Sequence, residues 1–154
     1  MRKQPSSRMC FVCGRQNPLG LKLDFYEDGE AGQVRAEFTV PEDYQSYPGV
    51  VHGGILAAIL DEVSGRAVML HGSDENLMAT LRLTVRYRRP TPIGTPLTAV
   101  GWVEHAGGIG TRVAGEIRLP DGTVTAECES VLADVPEEFR TRWAAEKAYW
   151  KVYE

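Results

Sequence analysis

Residues 49–65 read GVVHGGILAAILDEVSG and carry the strongest structural signal in the sequence. Residues 53–70 are rich in Ala, Leu and Ile and lack the alternation of a strand, so we predict a helix there. Its apolar residues leave little polar surface, which indicates burial nearly all round. They are Ile55, Leu56, Ile59, Leu60, Val63, Ala67 and Leu70.

Alternating segments on both sides of this helix predict strands. Residues 21–27 and 32–40 flank the turn DGEAG and are typical of a hairpin. Four later segments, separated by Gly-rich or LPDGT turns, predict an antiparallel meander: 79–90, 95–106, 108–119 and 122–135. In the first of them the alternation places Leu81, Leu83, Val85 and Tyr87 on one face and Thr80, Arg82, Thr84, Arg86 and Arg88 on the other.

The order of elements predicts an α+β fold. A helix that is apolar on all sides needs cover on all sides, and a curved antiparallel sheet wrapped around it provides that cover. We predict one domain over residues 1–154, with a flexible polar segment at 1–9 and an extra amphipathic helix at 136–154 that starts at Pro136. Long edge strands favour pairing with a second copy, so a homodimer is expected.

Composition narrows the function classes. The net charge is −4, which gives no general attraction for nucleic acid. No apolar run reaches the roughly 18 residues of a membrane span, and the N-terminus lacks the apolar stretch of a secretory signal. We therefore expect a cytoplasmic protein with no nucleic-acid or membrane partner.

The cysteines do not form a disulfide framework, because Cys10, Cys13 and Cys128 are too few and odd in number. Cys10 and Cys13 form a CxxC pair, but no second CxxC or suitably spaced His pair completes a zinc site. The favoured interpretation is structural, with two small side chains anchoring a turn and no metal. A metal shared between the pairs of two subunits is the alternative.

Two adjacent carboxylates interrupt the apolar helix. Glu62 lies four residues before Arg66, in the order that favours a helical ion pair, so we interpret it as a salt-bridged surface or rim residue. Asp61 has no such cation, and burying its charge is costly unless another segment or subunit supplies hydrogen bonds. Asp61 is therefore the candidate for chemistry, while a structural Asp bonded to a neighbouring strand is the alternative.

Gly53 and Gly54 lie where the helix should begin. Free backbone N–H groups at that end can face a developing negative oxygen, as in an oxyanion hole, although Gly can also merely allow a tight turn. Gly53 and Asp61 are about 12 Å apart along a helix, so one carbonyl cannot touch both in one chain. If both groups act on one substrate, each active site combines Gly53 of one subunit with Asp61 of the other.

With these residues in place, the chain resembles the hotdog-fold acyl-CoA thioesterase superfamily and, within it, the PaaI-like (phenylacetic acid degradation) branch. The resemblance extends from about residue 10 to residue 136, and GVVHGGILAAILDE is its most specific element. TLRLTVRYRRPTPIG and the opening CFVCG, followed by NPLGL, support it. It implies a sheet-wrapped helix, edge-to-edge dimers or dimers of dimers, and acyl-CoA substrates bound between subunits.

The resemblance also implies residue roles. Asp61 corresponds to the nucleophile or general base, and the Gly53 N–H to the group that polarises the thioester carbonyl. Thr80 corresponds to a hydroxyl that holds the water or the acid, and His52 to a structural or orienting residue of the motif. Many relatives have Asn where this chain has Ser46, whose shorter side chain changes how water or carbonyl is positioned.

The same chemistry needs no metal and no separate cofactor, because coenzyme A arrives as part of the substrate and its thiolate leaves readily. Arg86, Arg88 and Arg89 offer positive charge to the phosphates of the coenzyme, with a solvated strand face as the alternative for each. Gly54 and Ser46 complete the expected substrate-binding set.

Three functions agree with these features. Hydrolysis of an acyl-CoA or aryl-CoA thioester is favoured. A hydratase or dehydratase of enoyl thioesters on the same fold is the second, and a non-catalytic acyl-CoA-binding protein is the third.

Overall fold

A computed structural model describes residues 1–72 and 76–154 of the chain. The two helices of these ranges are α1 (Gly53–Ala67) and α2 (Glu137–Glu146). Their seven strands are β1 (Arg2–Lys3), β2 (Tyr26–Asp28), β3 (Gln33–Phe38), β4 (Met78–Tyr87), β5 (Leu97–His105), β6 (Thr111–Arg118) and β7 (Val124–Asp134). Short 3-10 turns occupy Glu42–Tyr44 and Leu70–Gly72.

All strands belong to one antiparallel sheet in the order β1-β2-β3-β5-β6-β7-β4. The predicted hairpin is confirmed by the pairing of β2 with β3. The predicted four-strand meander is wrong for β4. β5 pairs with β3 on one side and with β6 on the other, so it has no free edge for β4. β4 pairs with β7 instead and forms one edge of the sheet.

The sheet wraps around α1, which contacts β3, β4, β5, β6 and β7. The backbones approach closely at Val63, where a Cβ on Gly101 would lie 2.7 Å from the Val63 carbonyl oxygen. Glycine is therefore required at this contact between β5 and α1. The α+β fold with a curved antiparallel sheet around a long central helix, and an extra C-terminal helix, is confirmed.

The predicted burial of the central helix is confirmed for most of its apolar side. Leu56, Ile59, Leu60, Val63 and Ala67 are buried, whereas Ile55 and Leu70 are half-buried. The helix is three residues shorter than predicted, since it ends at Ala67 and the chain then enters the turn at Leu70.

The first predicted strand is shorter than its alternation indicated. Leu21 and Leu23 donate their N–H groups to the carbonyls of Phe11 and Val12 rather than to a strand, so β2 begins only at Tyr26. Residues 1–9, which we expected to be flexible, include β1 and the buried Gln4 and Ser6.

The predicted C-terminal helix ends early. α2 stops at Glu146, and Lys151 then forms a bridge with Ser6, which draws the last residues against the N-terminal segment. Its side chains are exposed or half-buried, so the amphipathic pattern packs only weakly. Within the described residues, no helix has the length and apolar character needed to cross a membrane.

Candidate active site

Asp61 lies in the middle of α1, where its side chain is half-buried. Thr80 Oγ1 donates a hydrogen bond of 2.7 Å to Asp61 Oδ1. No second hydrogen bond to the Asp61 carboxylate is found in residues 1–72 and 76–154. The other oxygen, Oδ2, is therefore free to act on a substrate or a water molecule.

A bulge in β4 brings Thr80 to Asp61. The register with β7 shifts between Thr80 and Arg82, so Leu81 loses its place in the alternation and is 64% exposed. The alternation in the sequence had placed Thr80 on the face opposite Leu83, and that prediction is wrong. A bulge re-aims the side chains before it, and here it turns Thr80 toward the helix.

A cavity of about 180 Å³ opens beside Asp61. Thr80 and Met78 of β4 line one side of it, and Phe139 and Trp150 of the C-terminal segment contribute aromatic surface. Its remaining lining residues are Glu62, Gly65, Arg66, Met69, Leu77, Leu132 and Val135. This cavity was not predicted from the sequence, because its lining combines residues 61–80 with residues 132–150.

The first turn of α1 is arranged by His52. His52 caps the helix, and its Nδ1 accepts the N–H of Gly54 at 2.9 Å. Because Nδ1 is the acceptor, the neutral ring carries its hydrogen on Nε2. The expectation that the Gly54 N–H is free is therefore wrong, because His52 occupies it.

The Gly53 N–H remains available. No acceptor for it is found in the part of the chain that the structure describes. Tyr87, at the end of β4, donates its hydroxyl to the Gly53 carbonyl at 2.6 Å. A Cβ on Gly53 would lie 3.3 Å from Cζ and Oη of that ring, so the glycine lets Tyr87 approach. The alternation in the sequence had predicted Tyr87 only as part of a strand face.

Glu62 forms the predicted ion pair, with Arg66 Nε donating to Glu62 Oε1 at 3.0 Å. The Glu62 side chain is 22% exposed, as expected of a rim residue, whereas the Arg66 side chain is only 2% exposed. Burial opposes the charged form of Arg66, but the charges of Glu62 and Cys13 more than offset it and raise the pKa of Arg66.

Ser46 lies in the exposed loop before α1. A β-bridge between Gln45 and Val51 closes this loop. The Ser46 hydroxyl donates to the Val50 carbonyl at 3.4 Å, within the same loop. The structure therefore places Ser46 near the start of the helix, bonded to its own loop.

The three arginines differ in their surroundings. Arg88 Nη2 donates to Glu127 Oε1 at 2.7 Å, and this hydrogen bond lowers the pKa of Glu127. Arg86 is exposed on β4 and Arg89 follows the strand, and neither forms an ion pair with another described residue. Arg86 and Arg89 are thus freer than Arg88 to meet a phosphate.

Comparisons with known proteins show the family of the chain. The family model of the thioesterase superfamily matches residues 48–126, just over half of the chain. A thioesterase superfamily protein of known structure is 35% identical, with a TM-score of 0.74. The match covers 82% of this chain and 63% of that chain, so this chain spans less than two thirds of its length.

Two further structures share the fold. A phenylacetic acid degradation-related protein from Ralstonia eutropha JMP134 is 27% identical, with a TM-score of 0.63, over 73% of this chain and 84% of that one. A protein from Streptococcus mutans UA159, solved with acetyl CoA bound, is 20% identical, with a TM-score of 0.65, over 73% and 88%.

The chain belongs to the thioesterase superfamily. The resemblance to its PaaI-like branch is confirmed.

Proposed function

We propose that this protein hydrolyses acyl-CoA or aryl-CoA thioesters, with Asp61 as nucleophile or general base and the Gly53 N–H as the oxyanion hole. The observation that carries the proposal is the Asp61 carboxylate, held at Oδ1 by Thr80 and open at Oδ2 beside a cavity. The acetyl CoA bound to the Streptococcus mutans neighbour supports the substrate class. No cofactor is required besides the coenzyme A of the substrate.

The chemistry follows from the two groups. Asp61 either takes a proton from a water molecule that attacks the thioester carbonyl or attacks that carbon itself. The Gly53 N–H, at the positive end of α1, stabilises the oxyanion that forms. When water attacks, the C–S bond then breaks, Asp61 passes its proton to the leaving thiolate, and the water supplies the oxygen of the acid product. When Asp61 attacks, the thiolate leaves an anhydride between Asp61 and the acyl group. A water molecule then hydrolyses this anhydride to the acid and the free Asp61 carboxylate, and the proton released goes to the thiolate.

The site is completed by a second subunit. α1 places Gly53 and Asp61 eight residues apart on one helix, about 12 Å, so the two groups must come from different subunits. β4 is the edge strand through which a second copy can pair, and most of its side chains are exposed. β4 also carries both contacts of the site, Thr80 to Asp61 and Tyr87 to Gly53.

Mixed dimers test this arrangement. Asp61→Asn removes the acid, and Gly53→Pro removes the N–H at a helix position where proline is accepted. His52 has φ −59° and ψ 133°, which a following proline also accepts. Co-expressed with two affinity tags, the two inactive variants should form a mixed dimer with one intact site and about half of the wild-type turnover.

A mixed dimer as inactive as both parents would overturn the composite site. Thiol release from a panel of acyl-CoAs tests the hydrolysis itself. Hydration of an enoyl thioester without thiol release would favour the hydratase, and binding of acyl-CoA with neither reaction would favour a non-catalytic binding protein.

A further inference from the structure

The CxxC pair meets a third possible metal ligand in the folded protein. The sulfur atoms of Cys10 and Cys13 and a carboxylate oxygen of Glu62 all lie within 4.8 Å of one another. Cys13 is buried and Cys10 is half-buried. The Gly14 N–H donates to the Cys10 carbonyl at 2.8 Å and closes a single turn that carries both thiols. The third ligand comes from α1, so sequence spacing alone did not indicate it.

Arg66 adds a positive charge to this cluster. Its guanidinium lies between the rings of Phe25 and Trp150, at 4.8 and 4.9 Å. Nη1 donates to the Pro5 carbonyl and Nε to Glu62 Oε1. Arg66 Nη2 is buried and has no hydrogen-bond partner among the described residues. A thiolate at Cys13 would give this side of the guanidinium a counter-charge.

The thiols are already polarised. A hydrogen bond from Cys10 lowers the pKa of Cys13 to about 7, against the opposing effect of burial, and the charge of Arg66 adds to the lowering. The same hydrogen bond, together with burial, raises the pKa of Cys10.

We propose that Cys10, Cys13 and Glu62 bind a thiophilic divalent cation such as Zn²⁺. Tetrahedral zinc with sulfur at about 2.3 Å and oxygen at about 2.0–2.2 Å sets these two ligand atoms about 3.5–3.7 Å apart. Cys10 Sγ and Glu62 Oε2 are 3.5 Å apart. Oε1 stays with Arg66, which orients the ligating carboxylate from outside the site.

The charges balance when such a cation binds. Two thiolates and one carboxylate supply three negative charges, and Arg66 leaves a net charge of −2 for a divalent cation to neutralise. Binding displaces the thiol protons of the pair. Solvent reaches the half-buried Cys10 and supplies the fourth ligand. The cation would join the turn at Cys10 to α1 beside Asp61 and stabilise the folded state.

Cobalt provides the probe, because thiolate ligands give Co²⁺ a charge-transfer band and tetrahedral visible bands. The full-length protein, with its thiols shown to be reduced by alkylation and mass measurement, should bind one Co²⁺ per chain and release it to Zn²⁺. Cys10→Ser and Cys13→Ser should abolish the bands, and Glu62→Gln should weaken binding about tenfold or more. Cys128→Ser, at a buried thiol outside the cluster, should bind as the wild type does.

Two results would overturn the proposal: a reduced wild-type protein that gives no bands, or Cys10→Ser binding as tightly as the wild type. Cys10 is half-buried and Glu62→Gln keeps the side-chain volume, so these variants decide the question even if Cys13→Ser fails to fold. Formation of a Cys10–Cys13 disulfide in place of cobalt binding would identify a redox pair and contradict the metal site. The readout does not depend on thioester hydrolysis.

Discussion

The first turn of α1 offers a backbone N–H group, whereas the turn around Asp61 offers a side-chain carboxylate. In the proposed mechanism the group at Gly53 is an N–H that any helix start provides, and His52 and Tyr87 bond to the groups around it. At Asp61 the proposed reactive group is a carboxylate that accepts a hydrogen bond from Thr80, nineteen positions along the chain. We therefore expect function to depend on the N–H in the first region, and on one particular side chain and its partner in the second.

The largest effect should come from Asp61→Asn, which keeps the volume and removes the charge. We expect turnover in a thiol-release assay to fall about 10²–10⁴-fold, the range for loss of a general base. Glu62→Gln is the matched control. The Glu62 carboxylate follows Asp61 directly in the chain but pairs with Arg66, so we do not expect it to act on the substrate. Equal losses in the two variants would contradict the role assigned to Asp61.

Gly53→Pro should cost about 10²–10³-fold in turnover, as removal of one oxyanion donor does. Gly53→Ala is the control, because it crowds Tyr87 in a similar way but keeps the N–H. The ratio of the turnover of the two variants therefore measures the contribution of the N–H. If Gly53→Ala is as inactive as Gly53→Pro, crowding rather than the N–H explains the loss.

Thr80→Val should lower turnover about tenfold, because the Asp61 carboxylate loses a hydrogen bond that fixes Oδ1. Thr80→Ser keeps the hydroxyl and should restore most of the activity. Steady-state kinetics should show the change in kcat more than in KM. A Thr80→Ser variant no better than Thr80→Val would mean that the methyl group, and not the hydroxyl, matters.

Phe139→Ala should widen the cavity beside Asp61 and shift the preference toward bulkier acyl groups by about threefold to tenfold. The measurement is kcat/KM for short, long and aromatic acyl-CoAs. Tyr149→Ala removes an aromatic ring of similar exposure outside the cavity and should leave the preference unchanged. An identical profile in both variants would show that Phe139 does not contact the acyl group in the cavity beside Asp61.

The smallest effect should come from the arginines. Arg86→Ala should raise KM for acyl-CoA about threefold at low salt, with less change at high salt, because exposed charges are screened. Arg88→Ala should change KM less, since Glu127 already holds that guanidinium. The opposite ranking would show that Arg88 leaves Glu127 for the phosphates.

Much of the site was predictable because it lies within one continuous helix. The positions of His52, Gly53 and Asp61 follow from helical spacing, and the pairing of Glu62 with Arg66 follows from the four-residue rule. The burial of Arg66 was not predictable, because Phe25 and Trp150 enclose it from opposite ends of the chain. Short-range rules cannot report such distant neighbours.

The sequence by itself determined the central helix, most of the strands and the residues capable of chemistry, because local periodicity and side-chain type set these features. Only the tertiary structure decided that β4 pairs with β7, that its bulge turns Thr80 toward Asp61, and that Cys10 and Cys13 face Glu62. A bulge shifts a strand by one residue and reverses every later face, and no local pattern marks it here. Pairing partners and bulges depend on contacts between segments distant in sequence, so they appear only when the chain is folded.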